Sequence, residues 1–333
     1  MTEAECAAVR ERILAVMLRG DRAGAIRESS RILAAGMGLS QFVLEILAPV
    51  QAQVGRQWQA GRVSSSAERL ATEIAEFLLT MAAGQQIPTG DGAHLVLCVA
   101  DRDHHNLPAR MIAELLRLEG HRVTFVGAAR PGPSLTGLLE KLAPDALVLS
   151  CSLAMNLPGL MPLARVAGDL GLPVIGGGRG FADVPARAAR LGLHAHAATV
   201  KDVSVQVTAV SATSAPEPDD QRKGQFHELR AAHDQLTDEL TERFLWQSDR
   251  LLSRPLRDPG HMRTYVSNLM SFTEAAVLCD EAILVDYRDW LQERFQSLRS
   301  DQAAVSALIA TMHARLALDT PLAGEALALA LPG

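Results

Sequence analysis

The run Asp101-Arg102-Asp103-His104-His105-Asn106 sets two imidazoles and two carboxylates in one short polar stretch. An imidazole with a carboxylate two residues earlier is the makings of a metal ligand and its orienting partner, because the carboxylate fixes which ring nitrogen carries the proton. A short motif of this kind also describes a solvated loop that happens to hold two histidines, and its context decides between them. Upstream, His94 to Ala100 is an apolar run that predicts a strand buried on both faces. Downstream, Met111, Ile112, Leu115, Leu116 and Leu118 have helical spacing. A strand, a polar turn and a helix put the turn at the carboxyl edge of a parallel sheet, where open α/β folds bind ligands.

Three other stretches carry side chains or gaps of the same interest. Trp58 closes one apolar helical stripe and Glu68 falls in the first turn of the next. By itself that pair reads as a core tryptophan beside a carboxylate that complements a helix dipole. Leu149-Ser150-Cys151-Ser152-Leu153 ends a strand in small, partly polar residues, and Ile175-Gly176-Gly177-Gly178-Arg179-Gly180 ends another where a side chain would block close backbone approach. These glycines do not form a dinucleotide fingerprint, which belongs after the first strand of such a sheet; the first turn here has histidines instead.

The elements that must hold these residues follow from periodicity. Residues 1–85 predict a four-helix bundle with stripes at Val9, Ile13, Leu14, Met17 and Leu18, then Ala25, Ile26, Ile32 and Leu33. The third stripe is Phe42, Val43, Ile46, Leu47, Val50 and Val54, and the last Leu70, Ile74, Phe77, Leu78 and Met81. Residues 93–210 alternate five strands (94–100, 121–126, 145–150, 173–177 and 194–197) with helices, which predicts a parallel sheet covered on both faces. Residues 211–224 are linker-like in composition, and residues 225–333 return to helical spacing as an all-α domain.

Global composition narrows the function classes. A chain of 333 residues accommodates two or three cores. Its net charge of -6 and lack of a basic block argue against direct nucleic-acid binding. The four cysteines are scattered without a C-x-x-C pair, which suits reduced thiols and gives no zinc site. No signal-peptide core or membrane-length apolar run appears, so a cytoplasmic protein without membrane contact is expected.

In that order, a helical bundle followed by a flavodoxin-like domain resembles the cobalamin-binding module of methionine synthase and of light-sensing cobalamin regulators. Asp103-His104-His105-Asn106-Leu107-Pro108 aligns with the D-x-H-x-x-G motif of that family, Ser150 with its S-x-L serine and Gly177-Gly178 with its G-G. The resemblance implies that His105 is the lower axial cobalt ligand, that Asp103 orients it, and that Ser150, Gly177 and Gly178 line the slot for the displaced nucleotide tail. Trp58 and Glu68 match the W-x9-E spacing that covers the upper adenosyl face in the light-sensing branch. The sequence departs from the pattern at Pro108, where the family has glycine, and at Ser152, where it has leucine. Gln59 and Arg69 stand where light-sensing relatives often place histidines. With no amino-terminal DNA-binding segment in this sequence, a transcription factor is not expected.

The last domain contains Asp258-Pro259-Gly260-His261-Met262-Arg263-Thr264-Tyr265 and Leu284-Val285-Asp286-Tyr287-Arg288-Asp289-Trp290. These look like the globin-like helical sensor domain behind some cobalamin modules, and the whole order resembles the photocobilins, photoreceptors that pair cobalamin with biliverdin. The resemblance implies a non-enzymatic photoreceptor that binds adenosylcobalamin and biliverdin, forms a homo-oligomer whose state depends on light, and signals to a partner protein. On chemistry alone, His261 could meet bilin pyrrole nitrogens, while Arg263, Arg250 and Arg254 could meet its propionates. Their plainer reading is a solvated helix face, as it is core packing for Tyr265, Tyr287 and Trp290. Cys279 could carry a bilin covalently, although a buried helical thiol is the expected role. The alternative is a corrinoid carrier of a cobalamin-dependent methyltransferase system; a third is a sensor that has lost cobalamin and binds haem or nothing.

Overall fold

A computed structural model describes the chain apart from residues 85–89, 102, 211–215, 217–218 and 332–333. Its elements in chain order are α1 (Glu3–Leu18), α2 (Arg22–Ala34), α3 (Ala48–Gln59), α4 (Ser65–Ala83), β1 (His94–Val99), α5 (Asn106–Leu118), β2 (Arg122–Ala128), α6 (Pro133–Leu142), β3 (Ala146–Ser150), α7 (Met161–Asp169), β4 (Val174–Gly177), α8 (Pro185–Arg190), β5 (Ala195–Ala197) and α9 (Val200–Ala209). After them come α10 (Asp220–Ala231), α11 (His233–Ser248), α12 (Pro259–Leu278), α13 (Ala282–Ser297), α14 (Ala303–Leu316) and α15 (Pro321–Ala330). The five strands lie in the order β2-β1-β3-β4-β5, which is the flavodoxin-like arrangement. The chain divides into two compact units, Met1–His94 with His105–Phe125, and Leu95–His104 with Val126–Gly333.

In the first unit α1, α2 and α4 start on polar caps. Thr2 and Glu5 form a reciprocal capping box on α1, Asp21 accepts from the Gly24 amide, and Ser64 accepts from the Ala67 amide. A π-helical turn, Phe42–Leu47, precedes α3, and the Ala48 amide reaches back to the Val43 carbonyl. Pro49 accounts for this: it lacks an N–H, and its ring clashes with the carbonyl four residues back, that of Glu45. The wider turn relieves the clash, and the Arg10 guanidinium takes the released Glu45 carbonyl at 3.1 Å. The buried stripe of α4 is rotated from the expected one. Ala71, Ile74, Ala75, Leu78, Leu79 and Ala82 face inward, whereas Leu70 is 47% exposed and Phe77 and Met81 are half-buried. Three alanines on that face admit close helix approach, so the larger residues stay at its border. In the same unit Arg110 of α5 donates to Thr80 at 2.7 Å and pairs with Glu76 at 3.2 Å, both on α4.

In the second unit β1, β3, β4 and β5 run parallel, with Cys98 opposite Leu149, Ser150 opposite Gly177, and Gly177 opposite Ala197. Every residue of β3 is buried, as a strand covered on both faces requires. The helices after residue 219 share one continuous apolar core with this sheet, and the 3₁₀ segment Ala154–Leu160 packs against α12. The last domain is all-helical. Its α10 begins at Asp220, inside the stretch expected to be linker, because the Asp219 carboxylate accepts from the Arg222 amide and caps it. Part of that expected linker lies outside the described residues. Glu274 on α12, 1% exposed, accepts from Arg230 at 2.7 Å and from His233 at 2.6 Å; the other ring nitrogen of His233 meets the Ser267 hydroxyl at 3.0 Å. Phe272 stacks on Tyr287 at 3.8 Å and Tyr287 on Trp290 at 5.6 Å, so these aromatics are packing residues. Among the described residues no helix is long and apolar enough to cross a membrane.

All four thiols are buried, and burial pushes Cys98 and Cys279 up to about 12. In the unfolded chain they ionise near pH 8.5, roughly the free-thiol value, while the folded chain keeps them protonated. Their contribution to stability is therefore whole below that pH and is lost as pH rises toward 12. Denaturant midpoints measured across alkaline pH should fall in that window, and a thiol reagent at pH 8 should label the chain only after unfolding.

Candidate corrinoid site

The loop after β1 starts where the strand's hydrogen bonds run out. The Asp103 amide donates to the Ala100 carbonyl at 3.0 Å and turns the chain. Asp103 is 2% exposed, which is unusual for a carboxylate, whereas His104 and His105 are exposed. His105 sits at the N-cap of α5 and makes no capping hydrogen bond with its side chain, so its imidazole is not spent on the helix end. The apolar face of α5, with Leu107, Met111, Leu115 and Leu116 buried, fixes the helix and hence the position of His105.

The loops after β3 and β4 are built on each other. The Cys151 amide donates to the Gly177 carbonyl and the Gly180 amide donates to the Cys151 carbonyl, both at 2.9 Å. A Cβ on Gly177 would stand 2.7 Å from the Ala197 carbonyl oxygen, and one on Gly178 would stand 2.5 Å from that of Cys151. Gly178 also has φ +100°, a backbone conformation that only glycine adopts without strain. Gly177 and Gly178 are thus required by close backbone approach, where the glycines alone would equally have read as a tight turn. Ser150, 4% exposed, lies opposite Gly177 in the register. The Cys151 thiol is pushed well above its usual range, first by burial and next by the negative charge of Asp103. That electrostatic effect places Asp103 and the strand-3 loop in one neighbourhood. Sequence reasoning named Cys151 only as part of the stretch that ends β3 and assigned it no role.

On the bundle, Trp58 and Glu68 occupy adjacent helix ends. Gly61, at φ +69°, closes α3, and the Trp58 indole N–H donates to the Ser65 hydroxyl at 3.0 Å. Both Trp58 and Glu68 are half-buried. The Glu68 carboxylate accepts from the Thr72 hydroxyl at 3.1 Å, which in turn accepts from the Gln51 amide at 2.5 Å. Thr72 was legible in principle, four residues from Glu68 on the same helix face. Gln51 was not, because it arrives from another helix.

The remaining candidates lie elsewhere. His261 is exposed in the first turn of α12, its Nδ1 3.1 Å from the Pro255 carbonyl. Arg263 is exposed and already paired with Asp238 at 2.7 Å and Asp234 at 3.5 Å, so a bilin propionate would have to displace two carboxylates. Arg250 and Arg254 are exposed as well. Cys279 is fully buried, in keeping with a packing role.

A model of the B12 binding domain matches residues 93–207, and a second B12 binding domain model matches residues 9–82. The chain carries a pair of B12-binding domains. It is 29% identical over 188 residues to the HTH-type transcriptional repressor CarH of Myxococcus xanthus, a match covering 56% of this chain and 62% of that protein. The chain therefore spans less than two thirds of that relative. Its fold is similar to that of the monomethylamine corrinoid protein of Methanosarcina barkeri, with a TM-score of 0.52 at 16% identity, covering 61% of this chain and 99% of that one.

The residues present fit a corrinoid. Among the described residues no cluster of three or more His, Cys, Asp or Glu could hold a bare metal ion. A corrin supplies four equatorial nitrogens itself, so the protein needs to add one imidazole, and the exposed His105, two residues after the buried Asp103, has the chemistry for that task. Gly178→Ala should cost about 1–3 kcal/mol of stability through its left-handed backbone and the Cys151 carbonyl. Equilibrium denaturation should show that loss, and corrinoid uptake should weaken with it.

Proposed function

We propose that this cobalamin-binding protein is a light sensor that takes adenosylcobalamin with its own base displaced, and that it is not an enzyme. His105 would ligate cobalt from below and Asp103 would hold the imidazole in one tautomer. Ser150, Gly177 and Gly178 would receive the nucleotide tail at the carboxyl ends of β3 and β4, the edge where open α/β sheets bind ligands. The bound cofactor would supply a cobalt–carbon bond that visible light can break. Everything else would fall to the chain: Trp58 would pack against the upper ligand, and Glu68, steadied by Thr72 and Gln51, would accept hydrogen bonds from it. Loss of that ligand would remove a packing partner from the ends of α3 and α4, a local change able to bias a two-state element.

The observation that carries this reading is the Trp58–Glu68 pair, held by Ser65, Thr72 and Gln51 at neighbouring helix ends. A carboxylate fixed in this way suits an upper ligand that bears hydroxyls and offers nothing to a methyl group. Similarity to a transcriptional repressor points toward regulation. A light-dependent homo-oligomer, a signalling partner and a biliverdin on the carboxyl-terminal domain complete the proposal; the bilin part rests on the order of domains and not on His261 or Arg263.

A second reading, a corrinoid carrier serving a methyltransferase, draws on the fold shared with the monomethylamine corrinoid protein. Absorbance spectra separate the two. The sensor should bind adenosylcobalamin, change its spectrum on illumination and shift its oligomeric state at the same time. A carrier would accept methyl from a donor protein and show no such linked change. His105→Ala should abolish the imidazole-ligated spectrum while leaving the fold intact, and Asp103→Asn should weaken corrinoid affinity by about 10- to 100-fold, the usual effect of losing a ligand's orienting partner. Unaltered cobalamin spectra in His105→Ala would refute the axial assignment.

A further inference from the structure

Arg187, on the short helix α8, is 3% exposed. Its Nη1 donates to the Gly180 carbonyl at 3.0 Å, and its Nε and Nη2 donate to one Asp280 oxygen at 2.9 and 2.8 Å. Gly180 belongs to the loop after β4 and is bonded through its amide to Cys151, in the loop after β3. Asp280 lies 93 residues further along the chain, between α12 and α13, and its other oxygen accepts from the Ala282 amide at 3.1 Å. Two more cations grip the same corner: Arg190 donates to the Cys279 carbonyl, and Arg222 donates to the Val277 carbonyl at 2.9 Å and to Glu281 at 2.6 Å. The end of α12 thus has its carbonyls satisfied by cations, as a helix C-terminus favours. Ala154–Leu160, the continuation of the strand-3 loop, packs on the same α12.

We infer that Asp280 and Arg187 are positioning residues of the nucleotide-tail slot, and that the carboxyl-terminal helical domain is in this way a working part of the corrinoid site. The inference rests on the assignment of the tail to Ser150, Gly177 and Gly178. A buried guanidinium keeps its geometry only while its carboxylate partner is present. The planar fork that holds Asp280 with one edge holds the Gly180 carbonyl with another, so moving α12 moves the glycine loop, and filling the slot pushes on α12. This gives the helical domain a mechanical link to cofactor occupancy that needs no pigment of its own.

The test compares cobalamin with cobinamide, the same corrin without its nucleotide tail, on the full-length chain by calorimetric titration. Asp280→Asn should weaken cobalamin about tenfold, the scale of one charge-assisted hydrogen bond, and leave cobinamide within about twofold. Arg187→Lys keeps the buried charge but loses the fork, and it should show the same selective loss should Asp280→Asn fail to fold. Equal weakening of both corrinoids, or no change in either, would overturn the inference and leave the pair a structural salt bridge. A wild-type chain that binds cobalamin no better than cobinamide would instead overturn the tail-slot assignment beneath it.

Discussion

Close backbone approach at the carboxyl ends of β3 and β4 is the constraint on which the sheet domain depends. Two loops exchange main-chain hydrogen bonds through Cys151, Gly177 and Gly180 with no space for a Cβ at Gly177 or Gly178. These bonds satisfy backbone donors and acceptors of Cys151, Gly177 and Gly180 at the strand ends. Ser150, at the end of β3, and Asp103, in the loop after β1, are both buried.

The bundle meets a different demand. Its candidate site residues, Trp58 and Glu68, come from helix ends, where side chains are ordinarily least constrained. Three devices remove that freedom: the left-handed Gly61 turn, the Trp58–Ser65 bond and the Gln51–Thr72–Glu68 relay. The π-helical turn forced by Pro49 leads directly into α3, and Arg10 compensates the carbonyl it releases. Departures from regular α-helix of this kind cluster at functional elements. In the same unit, Arg110 ties α5, the helix that begins beside His105, to α4, the helix that begins near Glu68. One element therefore answers to both candidate ligand-bearing positions.

In the carboxyl-terminal domain the polar investment is internal. Glu274 is buried against Arg230 and His233, and the Phe272–Tyr287–Trp290 stack fills the interior between α12 and α13. The cations offered by the sequence as pigment contacts are on the outside, and Arg263 is neutralised by carboxylates. What joins this domain to the sheet is the arginine-lined end of α12 and a core that runs unbroken from one to the other. The packing thus continues the core of the sheet into this domain.

The sequence alone determined whatever depends on near neighbours. Apolar period, capping residues and glycines with a fixed spacing are local, so the strand–loop–helix around Asp103 and His105, the parallel sheet, the bundle and the glycine loop after β4 could all be read from it. It also misled locally on α4, where the pattern favoured Leu70, Phe77 and Met81 while the alanine-lined face was the one that packs. Tertiary structure decided the rest: which carboxylate meets which cation, and which amide steadies which side chain. Gln51 with Thr72, His233 with Glu274, and Arg187 with Asp280 are 21, 41 and 93 residues apart. Partners at such separations leave no periodic trace, because hydrogen bonds and ion pairs depend on distance in space while sequence spacing reports only the path of the chain between them.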